Sequence, residues 1–296
     1  MKKRYTLSDF DAGTEFPFCM HIARLAGDFQ AHEHTFTELV IILDGRAVHQ
    51  VGGAEYPLRA GDVFVVHGRE GHGFAAVEGL HLCNIMFDSD SVIRESDELR
   101  ALSGFQSLFV LEPRYPSPGG FQSRLVLNAT SLNFVREEVS RLYEEFTARE
   151  SGFQGVVKAY FLALAAYLSR QYARQYAAQG ETGLSHVHRL AEAAAFIEAN
   201  YTEPIRLADA AAKAHVSVRH FIRVFKEKYR ETPASYIIQL RVRHAARLLR
   251  RTSLDITTVA LNSGYASPSL FSRQFRSRMG VSPSEFRRIY AAAQRR

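Results

Sequence analysis

Tryptophan is absent from this chain, cysteine occurs twice, and no long apolar run appears anywhere. Two cysteines, Cys19 and Cys83, could form at most one disulfide with each other and lack the spacing of a zinc-binding pair. Free thiols in a reducing cytoplasm are the expectation. Without a run near the roughly 18 apolar residues that a spanning helix needs, no membrane partner is expected. The opening MKKRYTLSDF is basic with no apolar stretch behind it, so no signal peptide is expected either. Catalytic signatures are missing as well. No phosphate loop, nucleophile motif or Ser-His-Asp order stands out, and the chain is not expected to be an enzyme.

What is present is a division of charge. The 296 residues carry a net charge of +6. Residues 186–296 hold 20 Lys/Arg against 8 Asp/Glu, whereas residues 1–185 hold 17 against 23. A basic C-terminal part is the electrostatic footprint of polyanion binding, and an acidic N-terminal part needs another role. Length alone suggests about two domains.

The basic part contains one motif written twice. Shifted by 50 positions, Ala210 meets Ala260, Ser217 meets Ser267, Phe221 meets Phe271, Arg223 meets Arg273 and Phe225 meets Phe275. Pro233 then meets Pro283, and Tyr236 meets Phe286. Each copy reads as helix, turn, helix. Ser217 and Ser267 are cap residues, and Pro268 stands at the first helical position, where its missing N–H costs nothing. Gly264 occupies a turn that needs positive φ, while His215 aligns one place beyond it, so the two turns differ chemically. A second helix of this kind enters the DNA major groove, where arginine makes a bidentate contact with guanine. The candidate DNA contacts are Ser217, Arg219, Ile222, Arg223 and Lys226 in the first copy. Ser267, Pro268, Ser269, Arg273 and Arg276 are those of the second.

The segments SVRHFIRVFKEKY, TPASYIIQLRVRHAARLLR and ITTVALNSGYASPSLFSRQFRSRMGVSPSEFRR resemble the DNA-binding domain of the AraC/XylS family of bacterial transcription regulators. The resemblance implies an all-α domain with two helix-turn-helix units joined by one long helix, at about Ser235–Arg250. It implies a homodimer on double-stranded DNA, with RNA polymerase as a further partner. Tyr229-Arg230 replaces the family's glycine-containing turn, and Ile222 is apolar where base-reading polar residues occur.

Residues 1–128 read as short strands separated by turn signals at Asp44-Gly45, Gly52-Gly53 and Ala60-Gly61. The expected strands are Glu38–Leu43, Ala47–Val51, Asp62–His67, Gly73–Val77 and Leu80–Phe87, in a β-barrel or jelly roll. His32, His34 and Glu38 would share one strand face, joined by His72 from a later strand. Their spacing is similar to the cupin metal motif, although His67, Arg69 and Ala76 depart from its second half. No resident cofactor is expected. A polar, metal-free effector pocket is preferred over a metal site, and a metal- or redox-responsive regulator or a metal-dependent cupin enzyme stands as the alternative. HTFTELVIILDGRAVHQVGG, YPLRAGDVFVVHGREGH and GLHLCNIMF resemble the sensor domain of rhamnose-operon regulators, which implies a small sugar as effector. The candidate effector-binding residues are His32, His34, Phe36, Glu38, His72 and Asn84, with Phe29 and Phe74 as further candidate walls.

The expected organisation is therefore α+β: a cupin-like barrel at 1–128, a helical dimerisation region at 129–172, a linker at 173–185 and the double helix-turn-helix at 186–296. Val157, Phe161, Leu164 and Leu168 form a stripe with helix-pairing spacing and are the candidate dimer contacts.

Overall fold

Alternating Val, Ile and Leu draw residues 37–51 and 72–87 into two long antiparallel strands, β4 (Thr37–Val51) and β7 (His72–Phe87). The computed structural model, which describes residues 3–10, 16–67, 71–92, 96–112, 124–178 and 186–293, builds the first unit on this pair. One half of β7 pairs with β2 (Phe18–Arg24) and the other with β3 (Phe29–His34). In the same way, β4 pairs with β6 (Asp62–His67) and β5 (Ala54–Arg59). A short β1 (Arg4–Tyr5) runs parallel to β3, and β8 (Leu125–Val126) closes the order β1-β3-β7-β4-β6-β8. Among the described residues this mixed sheet ends at β1 and β8 and does not close into the expected barrel.

The expected turn at Asp44-Gly45 is instead a bulge inside one continuous strand, with register shifts on both sides of Asp44. Gly45 adopts φ +77°, and a Cβ there would lie 2.2 Å from the carbonyl oxygen of Gly79. Glycine is therefore demanded both by φ and by close approach of the neighbouring backbone. The sheet folds over at this crossing. Val40, Ile42, Leu80 and Leu82 from one side meet Ala47, Leu58 and Phe74 from the other in an inner apolar cluster. The alternate residues Leu39, Ile41, Cys83, Ile85 and Phe87 face the helices. By contrast, Gly52-Gly53 and Ala60-Gly61 make the turns expected of them.

Short helical turns α1 (Ser89–Val92), α2 (Asp97–Arg100) and α3 (Ser103–Phe105) lead into a π-helical stretch, Gln106–Leu111. Next come α4 (Ala129–Ala148), capped by the Asn128 side chain, and α5 (Phe153–Ala177). The proposed dimer stripe is overturned here. Val157, Phe161, Leu164 and Leu168 are at most 1% exposed and belong to the core shared with the sheet. The 4-3-4 spacing that suits helix pairing also suits packing on a sheet, and α5 uses it for the sheet. The expected linker is corrected too. Helix α5 runs on to Ala177 because Tyr172 and Tyr176 are buried and stacked on each other, 4.7 Å between ring centres. Residues 179–185, the rest of that linker, lie outside the described residues.

Contacts divide the chain into Met1–Ala191 and Glu192–Arg296, with the division inside α6 (His186–Asn200). The second unit is all helix. It holds α7 (Leu207–Lys213), α8 (Val218–Tyr229), α9 (Pro233–Arg251), α10 (Ile256–Asn262), α11 (Pro268–Met279) and α12 (Pro283–Ala293). The 50-residue shift maps α8 onto α11 end for end, and α9 is the expected long joining helix. No helix among the described residues is long and apolar enough to cross a membrane.

Candidate functional site

Both copies build their second helix in the same way. The Ser217 hydroxyl accepts from the His220 amide at 3.3 Å, and the Ser267 hydroxyl accepts from the Leu270 amide at 3.4 Å. Phe221 and Phe225 meet edge-on at 5.5 Å or less between centroids, as do Phe271 and Phe275. Tyr236 packs on Phe225 at 5.4 Å, and Phe286 packs on Phe275 at 5.4 Å. With the aromatic side of each helix turned inward, Arg219, Arg223 and Lys226 are exposed on α8, and Ser269, Arg273 and Arg276 on α11. Ser217, Ser267 and Pro268 are exposed at the caps, and Ile222 is half-buried. Arg223 is held only loosely, 4.0 Å from Glu227 in an exposed pair.

The preceding turns carry a difference that the 50-residue shift conceals. His215 (φ +54°) and Gly264 (φ +82°) both take the left-handed conformation two residues past their helices. They are 49 residues apart, so the offset is 49 through α7 and α10 and becomes 50 after one extra residue in the second turn. His215 is thus the structural counterpart of Gly264. It bears the strain that a side chain meets there.

Arg241, from the middle of α9, ties the copies together. Its Nε donates to the Tyr201 carbonyl at 2.6 Å and Nη2 to the Glu203 carbonyl at 2.9 Å, ahead of the first copy. A Cβ on Gly264, in the second copy's turn, would stand 2.9 Å from the same Nε. Arg278 takes a similar part. Its Nη2 donates to the Ser235 hydroxyl on α9 at 2.6 Å.

In the first unit the polar residues gather where β3, β4 and β7 meet. His34, Glu38, His49 and His72 are almost fully buried, and His32 is half-buried at the edge. The Nε2 atoms of His34 and His72 are 3.2 Å apart, and Glu38 Oε2 lies 3.5 Å from the first and 3.2 Å from the second. His72 Nδ1 faces His49 Nε2 at 3.3 Å. Burial raises the Glu38 carboxyl, but the contacts of His34 and His72 outweigh it and hold the group below the usual carboxylate range. Burial, with His72 adding repulsion, lowers His32 to about 4 and His49 to about 3. The N-terminal segment lies against this region, with the Tyr5 ring edge-on to His32 at 5.3 Å and Phe10 edge-on to Phe36 at 5.9 Å.

Sequence comparison covers the regions that hold both clusters. Residues 210–289 match a helix-turn-helix domain family, and residues 15–146 match the AraC-like ligand binding domain family. The chain belongs to the AraC family of transcription regulators. It is 26% identical over 261 residues to the HTH-type transcriptional activator RhaS of Escherichia fergusonii, covering 88% of each chain. Against the HTH-type transcriptional activator RhaR of Mannheimia succiniciproducens it is 24% identical over 273 residues, 92% of each. Among solved structures it is similar to the DNA-binding domain of AdpA in complex with a target DNA, at 31% identity over 36% of this chain and 97% of that one, with a TM-score of 0.35.

As an AraC-type DNA-binding regulator, the chain presents its candidate DNA contacts outward, Ile222 excepted. Of the candidate effector residues, His32, His34, Glu38 and His72 come together. They do so from three strands, and His32, His34 and Glu38 do not share one as expected, because β3 ends at His34 and β4 begins at Thr37. Phe36 stacks on His34, 4.3 Å between centroids. Asn84 stands beside the cluster on β7, opposite Val40, and its Oδ1 is buried with no hydrogen bond. Phe74 belongs to the inner apolar core, and Phe29 is exposed. Two functional groups had escaped the sequence reading. His49 alternates in phase with the buried Ala47, a period-2 signal that was there to be read. Arg241 has no local signal, since its partners lie about 40 residues away.

Proposed function

We propose that the chain is a sugar-responsive transcription activator that works in the cytoplasm as a homodimer with RNA polymerase, by binding rather than by catalysis. The observation that carries this reading is the pairing of two equivalent arginine-bearing helices in one unit with a cluster of buried polar side chains in the other. The relatives named RhaS and RhaR, both activators, support it. In this reading α8 and α11 enter successive major grooves about 34 Å apart. Arg223 and Arg273 read bases, while Lys226 holds phosphate. The effector is received beside His32, Phe36 and Asn84. It acts only in so far as it binds the DNA-competent arrangement better than the incompetent one. The dimer forms through a face other than the buried α5 stripe.

Gel-shift titration against an operator and its point variants tests the DNA half. Arg223→Ala or Arg273→Ala should cost roughly 1–3 kcal/mol and relax base preference at one position. Lys226→Ala should weaken every sequence about equally and flatten the salt dependence. Wild-type binding by both arginine variants would overturn the recognition-helix assignment. For the sensor half, a sugar panel that includes rhamnose should raise the melting temperature with one sugar class. No shift with any sugar would remove the sugar from the reading. A thiol-based redox reading is less well supported, because Cys19 and Cys83 are both buried and burial pushes the Cys83 thiol upward, away from the reactive thiolate.

A further inference from the structure

The arginines of the two capped helices match, but their surroundings do not. On a helix surface the neighbours of a residue stand three and four positions away. Around Arg223 these are Arg219, His220, Lys226 and Glu227, and around Arg273 they are Ser269, Leu270, Arg276 and Ser277. All eight are exposed. Lys226 and Arg276 keep a positive charge at the same place. Glu227 stands 4.0 Å from Arg223, whereas Ser277 offers Arg273 no charge. The first turns differ most, with Arg219 and His220 in α8 against Ser269 and Leu270 in α11.

Leu270 is the one apolar side chain among the eight. It is 37% exposed and stands outside the apolar cluster that takes in Phe271, Phe275 and Phe286. It is the third residue of α11, and its amide donates to the cap Ser267. The N-terminal residues of such a helix meet the base edges. In the major groove the C5 methyl of thymine is the apolar group that a base pair presents, and an apolar side chain reads it. Contact takes both groups out of water, which Leu270 cannot achieve within its own helix. His220 holds the same place in α8. A ring N–H there suits N7 of a purine, an acceptor on adenine and guanine alike.

We propose that Leu270 reads the methyl group of a thymine beside the guanine of Arg273, and that His220 selects a purine at the equivalent place in the other half-site. The operator then consists of two half-sites that share a guanine and differ beside it, which fixes the order of the two copies along the DNA. This rests on the recognition-helix reading above and adds His220 and Leu270 to it.

The test uses the full-length chain with the sugar panel present. The chain selects its site from random duplex DNA. Loss of one guanine preference in Arg223→Ala and of another in Arg273→Ala assigns the half-sites. Each thymine is then replaced in turn by deoxyuridine, which removes only the methyl. One replacement in the Arg273 half-site should weaken wild-type binding about fourfold, the effect of one buried methyl group. The same replacement should leave binding by Leu270→Ala unchanged. Leu270→His should turn the preference at that position from thymine to purine, and His220→Leu should do the reverse in the other half-site. Deoxyuridine that is silent throughout the Arg273 half-site would overturn the proposal, as would an equal loss in wild type and Leu270→Ala. An unchanged preference in His220→Leu would remove His220 from it. If no site is selected, or neither arginine variant relaxes a guanine, the recognition-helix reading itself falls and this proposal with it.

Discussion

The two units solve the same problem by different means. In the helical unit, capping, helical period and turn conformation act within a dozen residues, and the chemistry ends up exposed. In the sheet unit the chemistry is buried, and its parts come from strands far apart in sequence: His34 meets His72 across 38 positions. Where contacts are local, a repeat can be copied and its function stays readable. Where they are non-local, a single backbone crossing decides the geometry.

The sharpest way to break this contrast is at Gly45. Gly45→Ala combines a left-handed φ with a clash against the Gly79 carbonyl. It should destabilise the sheet unit by roughly 2–5 kcal/mol. Gly53→Ala, also at positive φ but with nothing within 4 Å, should cost only about 1 kcal/mol. Urea unfolding of the two variants compares them, and equal small losses would show that the crossing at Gly45 is not what bends the sheet.

An intermediate effect is expected where the helical unit itself depends on distant partners. Arg241→Ala removes two charge-assisted hydrogen bonds to carbonyls some 40 residues away. About 1.5–3 kcal/mol of stability should go with them. The copies should also lose their fixed spacing. On operators with one base pair inserted between the two half-contacts, the variant should lose less affinity than the wild type does. Identical spacing profiles would mean that α9 holds the copies in register without this side chain.

The smallest effect is the most local. His215→Gly relieves a left-handed side-chain residue in the first turn and should stabilise by up to about 1 kcal/mol, offset in part by the freedom glycine gains in the unfolded chain. Gly264→Ala should instead destabilise, by roughly 2–3 kcal/mol, since it combines a left-handed φ with a Cβ 2.7 Å from the Thr202 carbonyl. Thermal melts of the pair would reveal whether the two turns are as equivalent as their φ angles.

Much of this was legible beforehand. Ser217, Ser267 and Pro268 mark the helix starts, Phe221 and Phe225 repeat at Phe271 and Phe275, and the arginines fall on the opposite side. The strands at Asp62–His67 and around Gly52-Gly53 also followed from alternation and turn residues. Other parts did not follow. Asp44-Gly45 reads as a turn because the same two residues serve a turn or a bulge, and the paired strand chooses. The stripe of Val157, Phe161, Leu164 and Leu168 is ambiguous for the same kind of reason, as an apolar stripe states that it will be buried and not against what. Residues 173–177 looked like polar linker because the burial of Tyr176 is a tertiary fact.

The sequence by itself determined the two capped, aromatic-backed, arginine-bearing helices, the charge division and the identity of the histidines, because periodicity and caps act through neighbours along the chain. Tertiary structure alone decided that Glu38 reaches the histidines from a strand of its own, that His49 stands behind them, and that Arg241 reaches from α9 to Tyr201 and Glu203. Those contacts depend on strand register and helix crossing, which residues far apart in the chain settle together.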